Sequence, residues 1–259
     1  MSHETKDFGR ARAFEQISRD LMHAGGEQPT LALITELAVE TVPACDACGV
    51  SIRRTDGTVD TPACTSPLVE KADALQYEFG EGPCLDAVWK LDTYVIEDME
   101  SEKRWPRWAP AAAELGFRAI LSVRLDTPER TLGGLNLYAH APDVFDNTDV
   151  MIASIFARHA ANALTATRRN DGLHTALQTR QAIGIAQGML MQRYGLNLDQ
   201  AFEVLRRYSQ EQNIKLRVVA EELVAAGTIT QGIGATLNEA EPETASAGSP
   251  PQQVSRPAV

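Results

Sequence analysis

The sequence lacks the motifs by which common catalytic sites are recognised. It contains no G-x-S-x-G nucleophile elbow, no G-x-x-x-x-G-K-[ST] phosphate loop and no H-E-x-x-H zinc motif. Its five histidines are scattered singly, which favours surface or packing roles over metal or haem ligation. We therefore expect no enzymatic activity, no catalytic residues, no cofactor and no metal.

Cysteine is scarce, with four residues among 259. Cys45 and Cys48 form one C-x-x-C pair, but Cys64 and Cys84 stand apart, whereas a zinc site of this type needs a second close pair. Nothing places the pair between a strand and a helix, where redox motifs occur. The pattern favours small buried or half-buried residues over a metal or redox site.

Long apolar runs are missing as well. No stretch approaches the roughly 18 apolar residues of a membrane span. The first fifteen residues, MSHETKDFGRARAFE, carry charges where a secretory signal has its apolar segment. We expect a cytoplasmic protein that does not associate with membranes.

Positive charge is in deficit, since the net charge is −11. Such a balance argues against nucleic acid as a partner, because phosphate contacts depend on Lys and Arg. The deficit is uneven: residues 1–172 contain 17 basic and 27 acidic side chains, whereas residues 173–227 contain 6 and 5. A nucleic-acid contact in 173–227 would therefore depend on a few well-placed side chains or on two copies acting together.

Residues 173–227 contain three helical apolar patterns separated by short turns. The first ends at Tyr194-Gly195, the second begins after Asn197, whose side chain can cap together with Gln200, and the third ends before Gly227. Apolar stripes this short cannot be hidden singly, so we expect the three helices to pack on one another.

The region before them changes from helical to alternating periodicity. We predict helices over 8–24, 30–42, about 67–77 and about 105–115, and a rigid glycine-rich turn at 79–84. Strands are predicted at 49–53, 59–65, 94–96, 119–125 and 134–140. Five short strands between helices indicate an antiparallel sheet with helices packed on it, an α+β domain.

A long helical pattern opens at Asn147 and can run on into the helix at 173–194, with a hinge at 170–172. A helix of this length usually pairs with a second copy, so we expect a homodimer. The proline-containing residues 228–259 cannot bury enough apolar area to fold and are expected to be disordered. The predicted organisation is 1–27, an N-terminal helix; 28–166, a sensor-like domain; 167–172, a helical linker; 173–227, the three-helix domain; and 228–259, the tail.

Arg180, Gln187 and Tyr194 lie seven residues apart along one row of the first helix of 173–227. Arginine can donate two hydrogen bonds to a phosphate or a guanine, glutamine can bind a base edge, and tyrosine can stack on an unpaired base. Together with Arg206, Lys215 and Arg217, they are our candidate RNA-binding residues. The alternative is a solvated helix face whose arginine stems cover the edge of the core.

Aromatic residues gather near the proposed sheet. Phe79, Trp105 and Trp108, with Cys84 nearby in sequence, are candidates for the lining of a small-ligand pocket. The alternative is that these aromatic residues are part of the core.

Residues 173–227 resemble the ANTAR RNA-binding domain through four motifs in the order of that family. They are A-L-x-x-R from Ala176, A-x-G-x-L-M from Ala186, A-F-x-x-L-R from Ala201 and K-L-x-x-V-A from Lys215. Residues 28–166 resemble a GAF domain through G-E-G-P-C from Gly80, the Trp105-Pro106 region and G-G-L-N-L-Y from Gly133. The expected fold is α+β, with an N-terminal GAF-like antiparallel sheet flanked by helices, a long connecting helix and a C-terminal all-α three-helix ANTAR-like domain.

The resemblance implies a transcription regulator that acts by antitermination. Such domains bind tandem stem-loops in nascent RNA and prevent a competing terminator hairpin, here under the control of a GAF-like sensor for an unidentified small ligand. The family often has Lys where this chain has Gln187. The resemblance therefore implies that RNA affinity here depends less on salt concentration, by the release of about one counterion. Two alternatives stay open: a signalling adaptor whose helices bind protein, and a DNA-binding helix-turn-helix, in which Glu221 and Glu222 would face the phosphates.

Overall fold

The structure is a computed structural model that describes the backbone of residues 3–90 and 93–227. The chain divides into two compact units, unit 1 up to Gly172 and unit 2 from Leu173 onward. The helices are α1 (His3–Met22), α2 (Glu27–Thr41), α3 (Pro67–Phe79), α4 (Pro83–Lys90), α5 (Trp108–Glu114), α6 (Asn147–Tyr194), α7 (Leu198–Glu211) and α8 (Leu216–Ala226). The strands are β1 (Ala47–Arg53), β2 (Val59–Cys64), β3 (Tyr94–Ile96), β4 (Ala119–Asp126) and β5 (Thr131–Ala139).

Unit 1 is built on a five-stranded antiparallel sheet with the order β2-β1-β5-β4-β3. The central strand β5 pairs with β1 and β4 on its two sides. Gly133 allows the close approach of β1, because a Cβ there would lie 1.8 Å from the backbone oxygen of Ser51. The edge strands are β2 and β3, and Gln28 of α2 donates its side-chain amide to the carbonyl oxygen of Pro62 on β2 (2.8 Å).

One face of the sheet, called here the apolar face, packs against residues of α1, α2 and the first part of α6. The buried sheet residues on this face are aliphatic or cysteine: Cys48, Val50, Ile52, Leu121, Val123, Leu125, Leu135 and Leu137. The buried leucine and valine residues of β4 and β5 therefore share one face of the sheet.

The opposite face is covered by helices α3, α4 and α5. Ile120 and Tyr138 of the sheet pack there with Val69, Trp108 and Phe117. Because helices cover both faces, β1 is buried at six of its seven positions.

Several element boundaries differ from the predictions. The turn at 79–84 is present, with Gly80 and Gly82 at φ values of 66° and 144°, but helix α4 begins within it at Pro83. The eight residues of α4 are too few for a 3.6-residue period to stand out. Helix α5 begins at Trp108, later than predicted.

Helix α6 is continuous for 48 residues, and the helix is unbroken through 170–172, where the sequence marked a hinge. In unit 2, its residues Ala186 and Leu190 pack with the apolar faces of α7 and α8. The expected packing of the first apolar stripe is confirmed there, but it fails at Leu173, Ala176 and Leu177, which are exposed.

Residues 228–259, for which disorder was predicted, lie outside the described residues. Within 3–90 and 93–227, no helix is both long and apolar enough to cross a membrane.

Candidate functional site

Unit 2 displays the predicted row of Arg180, Gln187 and Tyr194 on α6. Arg180 is exposed and has no ion-pair partner among the described residues. Gln187 donates its amide to the carbonyl oxygen of Leu198 (3.1 Å), which ties α6 to the start of α7. Tyr194 is 40% exposed at the end of α6. The arginine is available to a partner, whereas the glutamine has one of its two amide hydrogens engaged.

The remaining predicted cations fall into two classes. Arg206 donates Nε and Nη2 to Glu203 (3.0 and 2.5 Å), and Arg217 donates Nη1 to Glu221 (3.0 Å). Lys215, at the N-cap position of α8, is exposed and has no ion pair within the described chain. Arg206 and Arg217 therefore already share their charge and some of their N–H donors with a carboxylate.

Arg193 is a further exposed cation that the sequence reasoning did not select. It lies beside Tyr194 on α6 and has no ion-pair partner in the described parts of the chain. Arg193 is not a member of the seven-residue row. Its position next to Tyr194 is the sequence feature that could have identified it.

The framework of unit 2 holds these side chains on helices rather than loops. The predicted capping box at the start of α7 is confirmed: Asn197 Oδ1 accepts from Gln200 N–H, and Gln200 Oε1 accepts from Asn197 N–H, both at 2.9 Å. Such a cap satisfies orphan amide donors and fixes the start of α7 relative to Gly195, which ends α6 at φ 67°.

Unit 1 contains a buried polar cluster between the sheet and α3, which the sequence reasoning missed. Its six polar residues are each fully buried: Ser51, Asp73, Gln76, Ser122, Asn136 and Tyr138. Asp73 Oδ1 accepts from Tyr138 OH (2.6 Å), Asn136 Nδ2 (3.0 Å) and Gln76 Nε2 (3.2 Å), while Oδ2 accepts from Thr61 Oγ1 (2.9 Å). The carboxyl group is thus satisfied by neutral donors, with no cation in contact with it among the described residues.

The environment of Asp73 perturbs its acidity. Burial raises the pKa of Asp73 from 3.8 to about 6, and the hydrogen bonds from Tyr138, Thr61, Asn136 and Gln76 oppose that rise. A buried carboxyl group with a perturbed pKa and no cationic partner is typical of functional sites. The signal in the sequence was the spacing of Asp73, Gln76 and Tyr77, which places three polar residues on one face of α3.

The glycine-rich turn is braced on this cluster. Gln76 Oε1 accepts from the backbone N–H of Cys84 (2.9 Å), and a Cβ at Gly82 would lie 2.2 Å from that oxygen. Glu81 Oε1 accepts from the backbone N–H groups of Arg107 and Trp108 (2.6 and 2.9 Å), at the start of α5. The turn therefore joins the polar cluster to the first residues of two helices.

The predicted pocket residues are placed in two environments. Phe79, Trp105 and Trp108 belong to the apolar cluster beneath α5, and the Trp108 indole donates to the carbonyl oxygen of Ala72 (2.8 Å). Cys84 is instead buried at the edge of the polar cluster, where burial raises the pKa of its thiol to about 12. The three aromatic residues therefore belong to one apolar cluster, and the thiol belongs to the edge of the polar cluster.

The other cysteines are free thiols. Burial raises the pKa of Cys45 to about 12 and that of Cys48 well above its usual value. No group of three or more His, Cys, Asp or Glu side chains within the described ranges could hold a metal ion. High thiol pKa values are typical of inert packed cysteines.

Comparison with known families assigns both parts of the chain. The GAF domain profile matches residues 26–165, and the ANTAR domain profile matches residues 171–224. No curated protein matches the chain.

Solved structures that resemble the chain share the fold of unit 1. They include the GAF domain of a phosphoenolpyruvate-protein phosphotransferase from Coxiella burnetii, with 18% identity, a TM-score of 0.51, and coverage of 63% of this chain and 96% of that one. A free methionine-R-sulfoxide reductase from Neisseria meningitidis has 19% identity, a TM-score of 0.50, and coverage of 62% and 91%. The photosensory core module of a Stigmatella aurantiaca phytochrome has 8% identity, a TM-score of 0.57, and coverage of 81% of this chain but only 46% of that one. At these identities, the likeness concerns the fold and not the activity.

Proposed function

Because the chain belongs to the family of proteins that join a GAF domain to an ANTAR domain, we propose that it regulates transcription by antitermination. In this proposal, residues 173–227 bind tandem stem-loops in nascent RNA, residues 28–166 act as the sensor, and residues 167–172 join them. An ANTAR domain is an RNA-binding regulatory module and a GAF domain is a sensor module. Both are regulatory rather than catalytic domains.

The observation that carries the proposal is the set of exposed cations in unit 2 that have no ion-pair partner within the described chain. They are Arg180, Arg193 and Lys215, in a chain whose net charge is −11. An unpaired surface arginine or lysine can bind phosphate without first giving up a carboxylate, so these three supply most of the electrostatic attraction.

The neighbouring side chains support recognition of RNA rather than of phosphate alone. Tyr194 offers an exposed ring for stacking, and Gln187 keeps one amide hydrogen and its oxygen for a base edge. Arg206 and Arg217 should contribute less to RNA affinity, because each already shares its charge with a glutamate in an exposed ion pair worth about 0.2–1 kcal/mol.

Electrophoretic shifts with a tandem stem-loop RNA test this assignment. We expect Arg180→Ala and Lys215→Ala to weaken binding about tenfold each and to lower the salt slope by about one counterion. Arg207→Ala is the matched control, since Arg207 pairs with Glu211 at 2.8 Å on the same unit and should leave affinity almost unchanged. Equal affinity for unrelated hairpins would contradict sequence-specific regulation.

The sensor proposal concerns unit 1. We propose that a small ligand acts near Phe79, Cys84, Trp105 and Trp108, beside the turn that the polar cluster braces. The three tryptophans of the chain all lie in unit 1, so ligand binding should change the intrinsic fluorescence. A screen of small polar metabolites by fluorescence and thermal shift, with the effect on RNA affinity as second readout, tests this part.

Homodimerisation belongs to the same proposal, because a tandem pair of stem-loops suits two copies of unit 2. Light scattering at micromolar concentration should give the mass of two chains. A monomeric mass under these conditions would remove the paired binding mode from the proposal.

A protein-binding adaptor is the second candidate, and exposed apolar residues favour it. Ile185 and Leu198 are both exposed on unit 2, and such residues suit a protein surface better than a phosphate backbone. Arg180→Ala with Arg206→Ala separates the two functions. Lost RNA binding with an intact fold supports the RNA reader, whereas lost capture of a kinase or polymerase, in a chain whose unsubstituted form binds no RNA, supports the adaptor.

A further inference from the structure

We propose that a series of polar contacts in unit 1, called here the relay, connects the polar cluster to residues 168–171 of α6. The relay consists of Thr61 and Pro62 of β2, the first turn of α2, and Arg168 and Asp171 of α6. Through it, the hold of unit 1 on this turn of α6 depends on the hydrogen bonds of the polar cluster. The inference rests on the proposed function only where it gives the relay a part in the control of RNA binding.

The relay begins at a β-bulge in the edge strand β2. The register of β2 against β1 shifts here, so that Ser51 of β1 stands opposite both Thr61 and Pro62. A bulge bends the strand and leaves one residue outside the regular ladder. The Thr61 hydroxyl donates to Asp73 Oδ2 in the polar cluster (2.9 Å). The carbonyl oxygen of Pro62 accepts from the side chain of Gln28 (2.8 Å), so that adjacent residues of the bulge join the cluster and α2.

The first turn of α2 is capped by another helix rather than by its own sequence. Its N-cap residue is Gly26, which has no side chain to accept from the free backbone N–H groups of the turn. The backbone N–H of Glu27 donates instead to Asp171 Oδ2 of α6 (3.2 Å). Arg168, one turn earlier on α6, donates Nη2 to Glu27 Oε1 (2.6 Å). Helix α6 thus supplies the cap that α2 lacks.

The contacts of α6 within unit 1 change from apolar to polar at this point. Leu164 is the last buried residue of α6 in the apolar cluster, which it shares with residues of α1, α2 and the sheet. Arg168 and Asp171 follow on the same side of the helix, at spacings of four and three residues. Aliphatic packing has no preferred direction, whereas a hydrogen bond weakens steeply as its distance and angle change. A small shift of the first turn of α2 therefore releases 168–171 and leaves the apolar core in place.

An open groove gives α2 and β2 room for such a shift. The volume of the groove is about 530 Å³, and Gln28, Thr61 and Pro62 are among the residues that line it. A close-packed interior transmits strain to its surroundings. A side chain at the border of a groove can instead exchange its protein partner for water, at the modest net cost of one hydrogen bond. The bond between Gln28 and Pro62 can therefore open without a cavity forming in the core.

The stretch of α6 that follows the relay depends on this hold. Residues 172–178 are all exposed. Most helical stability in proteins comes from packing, so a helical stretch without burial opens locally at a low free energy. Because the relay holds the turn directly before this stretch, its release should increase local opening of 168–175.

Hydrogen–deuterium exchange of the full-length chain, read by mass spectrometry, tests the relay at three points. Thr61→Val removes the hydroxyl that reaches the polar cluster and keeps the shape of the side chain. Gln28→Glu removes the donor to Pro62 at the same size, although a negative charge in the first turn of a helix is by itself stabilising. Asp171→Ala removes the cap of α2.

We expect each of these three variants to raise the exchange rate of the amides of 168–175 about fivefold, in keeping with the net contribution of one hydrogen bond. Thr61→Val combined with Asp171→Ala should exchange no faster than Asp171→Ala alone, because contacts that act in series are not additive. Asp171→Asn should restore the slow exchange, since its amide oxygen can still accept from the Glu27 N–H.

Two matched controls separate the relay from general loss of stability. Ser122→Ala removes a hydroxyl from the same polar cluster, but that hydroxyl donates to Asn136 (2.7 Å) and not to β2. Arg169→Ala removes an exposed arginine next to Arg168 that has no ion-pair partner in the described part of unit 1. Both controls should leave the exchange of 168–175 unchanged.

Two results would overturn the relay. One is a rise in exchange at 168–175 in Ser122→Ala that equals the rise in Thr61→Val, since the effect would then be general. The other is unchanged exchange at 168–175 in both Thr61→Val and Gln28→Glu, since Asp171 would then be a local cap with no connection to the cluster. Gln28 is exposed, so Gln28→Glu keeps the test decisive even if Thr61→Val does not fold.

The relay and the proposed function can fail separately. In electrophoretic shifts with tandem stem-loop RNA, Thr61→Val and Asp171→Ala should change the affinity in the same direction, by up to the same factor of about five. Raised exchange with unchanged RNA affinity in both variants would overturn the part of the relay in control of RNA binding. If exchange rises as expected but the unsubstituted chain binds no RNA, the relay stands and the proposed function falls. If RNA binds while exchange stays unchanged in all variants, the proposed function stands and the relay falls.

Discussion

The two faces of the sheet in unit 1 are buried alike but differ in chemistry. On β5, Leu135 and Leu137 face the apolar side, while Asn136 and Tyr138, between and after them, face the polar cluster. The apolar face is stabilised by removal of aliphatic surface from water, and the polar cluster by hydrogen bonds that must all be made. Aliphatic side chains on the apolar face can therefore pack against many different neighbours, whereas the polar cluster needs specific hydrogen-bond partners.

That difference also separates two roles within one domain. Aliphatic packing tolerates rearrangement at low cost, whereas a saturated network around a carboxyl group has one arrangement in which every donor is satisfied. A ligand or a proton that removes one bond of the cluster therefore changes several others. This is the physical reason for our proposal that a ligand acts beside the turn braced by the polar cluster rather than at the apolar face.

The largest effect should follow from the introduction of a polar group on the apolar face. Leu137→Asn removes a fully buried aliphatic side chain and leaves an amide without partners. We expect the free energy of unfolding of unit 1 to fall by about 4 kcal/mol. Urea titration followed by tryptophan fluorescence measures it, because the three tryptophans lie in unit 1.

Replacement of the buried amide of Asn136 by an aliphatic side chain should lower the stability of unit 1 nearly as much. Asn136→Leu removes the amide that donates to Asp73 (3.0 Å) and Ser51 (3.1 Å) and that accepts from Ser122 (2.7 Å). We expect a loss of about 3 kcal/mol in the same urea titration, because buried donors and acceptors are left unmade. A gain in stability would contradict the contrast between the faces, since it would mean that leucine suits both.

The pH dependence of unit 1 should reveal the buried carboxyl group. The pKa of Asp73 is about 6 in the folded chain and 3.8 ordinarily. Between these two pH values, the folded chain keeps the carboxyl proton of Asp73, whereas the unfolded chain has lost it. Stability from this group is thus fully present below about pH 4 and is lost as the pH rises through 6, on the order of 2 to 3 kcal/mol in total.

Asp73→Asn should remove this dependence while it keeps the shape of the side chain. Urea titrations at several pH values give the free energy of unfolding of both proteins. As the pH rises from 4 to 7, the difference between them should shift in favour of the variant, because only the unsubstituted chain loses the contribution of the carboxyl group. Other carboxyl groups titrate in both proteins and cancel in the difference. A difference that does not vary with pH would mean that Asp73 is not buried as a carboxyl group.

The smallest loss of stability should follow from removal of a single hydroxyl group of the polar cluster. Ser122→Ala removes one hydroxyl, which donates to Asn136 Oδ1 at 2.7 Å. We expect a loss of about 1 kcal/mol, measured as a shift in thermal midpoint. The matched control is Ser154→Ala on α6, whose hydroxyl donates only to the carbonyl oxygen of Val150 within its own helix and should matter less.

Much of the fold could be predicted because periodicity reports local structure. The 3.6-residue pattern found α6, α7 and α8, and alternation found strands β4 and β5 within one or two residues, apart from the start of β5. Alternation cannot reveal whether the second face meets water or another helix. It therefore could not show that Asn136 and Tyr138, which alternate with leucines, are buried as deeply as the leucines are.

The candidate sites were predictable to different degrees for a related reason. The Arg180 row on α6 is a matter of helical spacing within one element. The polar cluster brings together Ser51, Asp73 and Asn136 from three elements far apart in the chain, and one sequence holds no sign of that meeting. The same limit hid the ion pair of Arg206 with Glu203, since an i, i+3 spacing permits a pair but does not require it.

The two edges of the sheet offer little to a strand from another molecule. An open edge strand can recruit a strand from another molecule and start aggregation. Here, Pro62 offers no N–H on β2, its carbonyl oxygen is taken by Gln28, and β3 has only three residues. Strand exchange between copies is thereby discouraged at both edges of the sheet, which lowers the tendency of unit 1 to grow into fibres.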